Sequence, residues 1–172
     1  MMYKDFYIFF FSHVYKQMSE IIKGKLYLGD MFDACDSKFI EFYNIDTIIC
    51  VASRLKITNT NPQIKKYQFD LEDDYSCNIS DFFDEINTLI KNNKTVLVHC
   101  AAGVSRSATI VLAYLIQNEN LSLREAFLKV RQKRPRICPN KEFMKQLIAF
   151  ELLVHGKNAL RYEEYRQLFF YS

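Results

Sequence analysis

The chain of 172 residues lacks several things that would direct it toward common functions. It has no CxxC pair, and its five cysteines (Cys35, Cys50, Cys77, Cys100, Cys138) are odd in number and irregularly spaced. That fits a free thiol in a reducing, cytoplasmic setting better than a disulfide framework. The three histidines, His13, His99 and His155, are scattered, so no structural zinc site is expected, nor any other metal or cofactor. A net charge of +3 is too mild to imply a nucleic-acid partner. The aromatic run at residues 6–11 falls short of the ~20 apolar residues that span a bilayer. No small-x-small cleavage site follows it, so neither a signal peptide nor a membrane partner is expected. Internal repeats and low-complexity linkers are also missing, and the length suits one domain with one core.

What is present centres on residues 95–115, TVLVHCAAGVSRSATIVLAYL. A β-branched run ends at His99-Cys100, a tight loop follows, and Arg106 opens an apolar, helix-like segment. A buried strand turning sharply into a helix leaves backbone N–H groups free at the positive end of the helix dipole. A cysteine at the mouth of such an anion site has a lowered pKa and becomes a thiolate nucleophile. Arg106 adds a planar fork of donors suited to phosphate oxygens. Gly103 lets the backbone turn its amides inward where a side chain would clash.

Along the rest of the chain, residues 22–30 read as a strand ending in a turn, and residues 31–43 have helical spacing through Phe32, Cys35, Phe39, Ile40 and Phe42 or Tyr43, with Asn44 as the stop. The run at 45–51 reads as a buried central strand, 58–62 as a turn and 66–70 as a short strand. An acidic loop at 71–78 precedes an amphipathic helix at 79–91. A capping box at Ser122-Leu123-Arg124-Glu125 opens a further helix, which Arg134-Pro135 breaks. Pro139-Asn140 introduces a helix from 141 to about 154, with Phe143, Leu147, Ile148 and Leu152 inward and Gly156 as its stop. Residues 157–172 read as an amphipathic tail carrying Leu160, Tyr165, Leu168 and Phe169. Alternating strands and helices indicate an α/β domain with a central, mostly parallel sheet flanked by helices. Ligands then sit at the carboxyl ends of the strands, where Cys100 lies.

The signature HCxxGxxR followed by Ser or Thr resembles that of the cysteine-dependent protein tyrosine phosphatases, and HCAAGVSRSAT is similar to its dual-specificity branch. The likeness extends over residues 26–153 and includes the LYLG opening. It implies the dual-specificity fold, metal-independent hydrolysis of phosphotyrosine and phosphoserine or phosphothreonine in proteins, and a phosphocysteine intermediate. In the terms of that resemblance, Cys100 is the nucleophile, His99 supports the loop, and Ser107 assists breakdown of the intermediate. Ala101, Ala102, Gly103, Val104, Ser105 and Arg106 bind the phosphoryl group, and Asn140 fixes the catalytic loop. The general acid comes from Asp70, Asp73, Asp74 or Asp81. The family register, six positions before the Ile that opens the next helix, favours Asp73 and then Asp74. Asp73 stands only 27 positions before Cys100, about one helical turn fewer than the family usually leaves.

Lys129, Arg131, Lys133, Arg134 and Arg136 form a basic cluster. It is either a solvated face or a rim, with Arg134 and Arg136 attracting acidic or doubly phosphorylated peptides. Cys50 is either a small buried hydrophobe or a thiol able to meet Cys100 under oxidation. The catalytic domain is expected over 21–155 and the tail over 156–172. Residues 1–20 form an aromatic segment that packs on its own domain or makes a homodimer contact. Overall length and the string VLVHCAAGV also resemble the small poxvirus-type members, which implies a viral source. The neutral centre of the catalytic loop argues against phosphoinositide and RNA 5′-phosphatase alternatives. Retention of both Cys100 and Arg106 argues against a pseudophosphatase that only binds phosphoproteins.

Overall fold

The structure is a computed structural model and describes residues 18–59, 61–157 and 161–170. The expected contact through the N-terminal aromatic run therefore lies outside the described residues, as does Leu160. The described residues form a five-stranded sheet in the order β1-β2-β5-β3-β4. Its strands are β1 (Ser19–Ile22), β2 (Leu26–Gly29), β3 (Thr47–Val51), β4 (Lys65–Phe69) and β5 (Val96–His99). Only β1 runs antiparallel, paired to β2. The pairs β2–β5, β5–β3 and β3–β4 are parallel.

The inner strands are buried on both faces, which explains their unbroken apolar runs. Side chains alternate between two cores, as a period of two requires. Leu26, Leu28, Ile49, Val51, Val96 and Val98 belong to the larger core, and Tyr27, Ile48 and Leu97 to the smaller. On the smaller side lie α1 (Met31–Cys35) and α2 (Ser37–Phe42). The larger side carries a short 3-10 turn (Ile79–Phe82), α3 (Phe83–Asn92), α4 (Arg106–Asn118), α5 (Leu123–Lys133) and α6 (Lys141–His155). Helix α4 is the centrepiece. It buries every residue from Ser107 to Ile116 and packs against α3, α5 and α6. Each buried Leu or Ile there contributes roughly 1.5–3 kcal/mol. The last helix, α7 (Tyr162–Phe170), inserts Tyr165 fully into the larger core. No helix among the described residues is long and apolar enough to cross a membrane.

Four local expectations are corrected. The strand expected over 22–30 is a hairpin, because Gly24 takes a left-handed turn (φ +63°) between β1 and β2. The single helix expected over 31–43 is two. Asp36 adopts an extended backbone, ends α1, and caps α2 through hydrogen bonds from the Lys38 and Phe39 amides. Phe32, which the helical pattern counted as apolar-face, is consequently 73% exposed. In α6, Leu152 points outward, and Met144, Phe150 and Glu151 are buried instead. The expected caps at Ser122, Asn140 and Gly156 are present as read.

Candidate active site

All four parallel strands end on one edge of the sheet, and the loop at 100–107 crosses that edge between β5 and α4. Cys100 is buried at its start. The Ser107 hydroxyl donates to Cys100 Sγ at 3.2 Å and the Gly103 amide at 3.3 Å. Burial opposes the thiolate, but these donors, with the amides of Ser107 and Val104, outweigh it and hold the thiol below its ordinary pKa.

The loop's shape is imposed from behind. Gly103 is left-handed (φ +65°), and a Cβ there would strike the Arg134 guanidinium and the Gly29 carbonyl. Arg134 Nε donates to the Gly103 carbonyl at 2.8 Å, the Met31 amide to Ala101 O at 3.3 Å, and the Cys138 amide to Val104 O at 2.9 Å. Ser105 is buried, and its hydroxyl is held on both sides. It donates to Asp73 Oδ1 at 2.7 Å and accepts from the Asn140 amide at 3.1 Å.

Arg106 extends over this loop. Its Nη1 donates to Leu71 O at 3.0 Å, and its Nε lies 3.8 Å from Asp73 Oδ2. That Nε is buried without a hydrogen-bond acceptor among the described residues. It is a charged donor that a phosphoryl oxygen would satisfy.

Of the acid candidates, Asp73 alone joins the loop, receiving Asn140 Nδ2 at 3.0 Å as well as the Ser105 hydroxyl. The short connection to Cys100 is spanned by the 3-10 turn and the ten-residue α3. Asp74 turns back on its own segment. Its Oδ1 accepts from the Ser76 hydroxyl and amide at 2.8 Å and from the Cys77 amide at 3.1 Å, and these donors lower its pKa. Asp70 accepts from Gln68, and Asp81 lies within the 3-10 turn.

His99 is 2% exposed, with Nδ1 3.4 Å from the Cys100 carbonyl. Burial holds its pKa down at about 4, so the ring is neutral.

Arg134 departs from the expected substrate rim, whereas Arg136 borders the cleft beside the loop. Arg134 is 4% exposed, and it braces Gly103 and faces Asp30 Oδ2 at 3.6 Å. It has no surface to offer a peptide. Arg136 donates to the same Asp30 oxygen at 2.8 Å and lines a cleft of about 570 Å³ beside Ala101 and Ala102. Asp30 was missed as a site residue. It caps α1 and holds both arginines, and its place directly after LYLG was the available signal. Cys50 lies buried on β3 beside His99 of β5, with its Sγ toward Ala52 O and burial raising its pKa.

The family model for the dual specificity phosphatase catalytic domain matches residues 26–152. The chain is 40% identical over 137 residues to dual specificity protein phosphatase Mpk3 of Drosophila melanogaster, covering 77% of this chain and 33% of that one. It is 40% identical over 131 residues to human dual specificity protein phosphatase 6, covering 73% and 34%. It thus spans about a third of the length of these curated relatives. Among solved structures, the human tyrosine phosphatase-like serine/threonine/tyrosine-interacting protein superposes with a TM-score of 0.74 at 31% identity, covering 81% of this chain and 98% of that one. DUSP15 superposes with a TM-score of 0.75 at 27% identity, covering 90% and 96%. The chain belongs to the dual specificity phosphatase catalytic domain family.

Proposed function

We propose that the chain is a protein phosphatase that hydrolyses phosphotyrosine and phosphoserine or phosphothreonine monoesters through a phosphocysteine intermediate. The carrying observation is the convergence on one loop of a donor-stabilised Cys100 thiol, an Arg106 Nε without an acceptor, and the Asp73 carboxyl. In the first step the Cys100 thiolate attacks phosphorus and an S–P bond forms. The ester P–O bond breaks, and Asp73 in its acid form passes a proton to the departing oxygen. Loop amides of residues 101–106 and the Arg106 guanidinium stabilise the equatorial oxygens. Water then attacks the phosphocysteine, Asp73 takes its proton, and the S–P bond breaks. The Ser107 hydroxyl stabilises the departing thiolate, and inorganic phosphate leaves.

His99, Arg134 and Asn140 act on this reading as positioning residues, and no step calls on a metal or cofactor. The phosphorylated protein is the partner. The names of the relatives, each a dual specificity protein phosphatase, favour proteins over phosphoinositides or RNA as substrates. Free cysteines among the described residues support a reducing, cytoplasmic setting. The poxvirus-type likeness supports a viral source, and the aromatic run supports a homodimer contact through residues 1–20.

Purified protein is expected to turn over phosphotyrosine and phosphothreonine peptides and to spare phosphoinositide and RNA 5′-triphosphate. Cys100→Ser should lower turnover by about 10⁵–10⁶-fold while phosphopeptide binding persists. Turnover by the Cys100→Ser protein at the wild-type rate would remove the mechanism.

A further inference from the structure

The cleft of about 570 Å³ beside the catalytic loop carries more acid than base. The carboxyls of Asp30, Asp33 and Asp36 line it, against the single guanidinium of Arg136. Its wall is continuous with the phosphate cradle, because Ala101 and Ala102 directly follow the nucleophile. Given the phosphatase reading, on which the claim rests, we infer that this cleft binds an arginine of the substrate protein within two residues of the phosphorylated one. Its guanidinium stacks on Phe32 and pairs with Asp33 and Asp36.

The charges select a cation. Arg136 donates to Asp30 Oδ2 at 2.8 Å, and Arg134 faces the same oxygen at 3.6 Å, so Asp30 engages both arginines. Asp33 and Asp36 have no ion pair among the described residues. Asp33 is 4% exposed, and its Oδ2 accepts the Asp30 amide at 2.9 Å. Its Oδ1 takes no hydrogen bond from the described residues, yet that oxygen is not sealed from solvent. Burial lifts the Asp33 pKa to about 6, so the group is charged at neutral pH. Asp36 Oδ1 accepts from the Lys38 and Phe39 amides, which leaves its Oδ2 free. A partly desolvated carboxylate without a cation gains more from one than a solvated carboxylate does. A second phosphate entering here would instead meet Asp33 and Asp36, a costly approach of like charges.

The aromatic wall selects arginine over lysine. Phe32 is 73% exposed, and Phe39 stands half-buried on the same wall. A guanidinium is planar and weakly hydrated, so it lies flat on a ring while its edge donates to carboxylates. An ammonium holds its water and has no such plane. An extended peptide advances ~3.3–3.6 Å per residue, so a cleft that begins at Ala101 meets only positions near the phosphorylated residue.

The test uses the full chain at neutral pH and phosphotyrosine peptides that are otherwise alanine. A single arginine is moved through two positions on either side of the phosphotyrosine. Matched peptides carry citrulline, glutamate or phosphothreonine there instead. At one position, or two neighbouring ones, arginine should raise kcat/KM about tenfold over alanine. Citrulline, which keeps the shape and lacks the charge, should lose most of that gain, and glutamate and phosphothreonine should fall below alanine. The arginine-to-alanine ratio is then taken within each variant, so changes in folding or basal rate cancel. Asp36→Asn, whose amide oxygen still caps the helix, should lower the ratio about threefold, as should Phe32→Ala at its exposed position.

Any of five outcomes would overturn the assignment: no arginine position above alanine, an equal gain at every position, citrulline matching arginine, phosphothreonine exceeding arginine, or a ratio that either variant leaves untouched. Turnover of a plain aryl phosphate, which enters only the cradle, tests the phosphatase reading by itself. A protein that hydrolyses the aryl phosphate without preferring arginine loses the cleft assignment alone. One that leaves the aryl phosphate intact fails the phosphatase reading.

Discussion

Residues 100–107 are held through their backbone carbonyls, whereas residues 72–78 meet the same site mainly through side chains. The first segment is clamped at three carbonyls by Met31, Arg134 and Cys138 and is threaded past Gly29, where a single added methyl would collide. The second hangs from Leu71, whose carbonyl accepts from the Ser53 amide and from Arg106. It presents Asp73 to Ser105, Asn140 and Arg106. A nucleophile needs its donors preorganised within tenths of an ångström. A general acid needs only to come within hydrogen-bond reach of the leaving oxygen, and such bonds tighten when substrate binds. Rigidity in one segment and adaptable contact in the other match those two demands.

The sharpest way to break this comparison is at Asp73. Asp73→Asn keeps the side-chain acceptor toward Ser105 and removes the transferable proton. Turnover of an alkyl phosphate should fall by about 10²–10⁴-fold. An aryl phosphate with a good leaving group should lose far less, since it needs no proton. Equal losses on the two substrates would make Asp73 a structural tie rather than the acid.

The clamp on the rigid segment should show next, and as stability. Removing one member of a buried ion pair typically costs about 3–5 kcal/mol. Arg134→Met, which strips both Gly103 and Asp30 of a partner, is therefore expected to lower unfolding free energy by about that amount in denaturant titration. Arg136→Met removes a partner of the same Asp30 whose own side chain is 28% exposed and which does not touch the loop, and should cost less than Arg134→Met. Small and equal losses would mean the loop is not held from behind.

Much of this contrast was legible along the chain, and unevenly so. The strand β5, the loop and α4 are contiguous, so nucleophile, glycine and arginine could be read from one string. The acid could be read only by register, because its partners Ser105 and Asn140 lie 32 and 67 positions away. Arg134 was misread for a physical reason. In a basic run every charge looks solvated, and only the fold shows that one of them turns inward to a carbonyl 31 positions back. The break at Asp36 was hidden because a helical apolar period continues across it. The side chain that ends one short helix is the one that caps the next.

A subtler test addresses the thiol. The Ser107 hydroxyl is the leading donor that offsets burial of Cys100. Ser107→Ala removes a donor that favours the charged form, so the Cys100 pKa rises. The acid limb of the rate profile, which follows thiolate formation, should move to higher pH. Turnover of an aryl phosphate at neutral pH should drop by about tenfold, the scale of one hydrogen bond to a charged group. A rate loss with an unmoved acid limb would confine Ser107 to breakdown of the intermediate.

The smallest expected effect is also the most discriminating, because it separates two neighbouring carboxyls. Asp74 is fully exposed, and its Oδ1 gathers three donors from Ser76 and Cys77, which fold the segment back on itself. Asp74→Asn preserves an oxygen that can accept those bonds, so the turn persists and the rate should stay within about twofold of the parent on alkyl and aryl phosphates alike. Asp74→Ala leaves the three donors to solvent and loosens the turn. It should therefore affect binding before chemistry, raising KM while kcat holds. Should Asp74→Asn instead reproduce the leaving-group dependence expected of Asp73→Asn, the acid is Asp74. The hydrogen bonds that join Asp73 to Ser105 and Asn140 would then be one more clamp on the rigid segment.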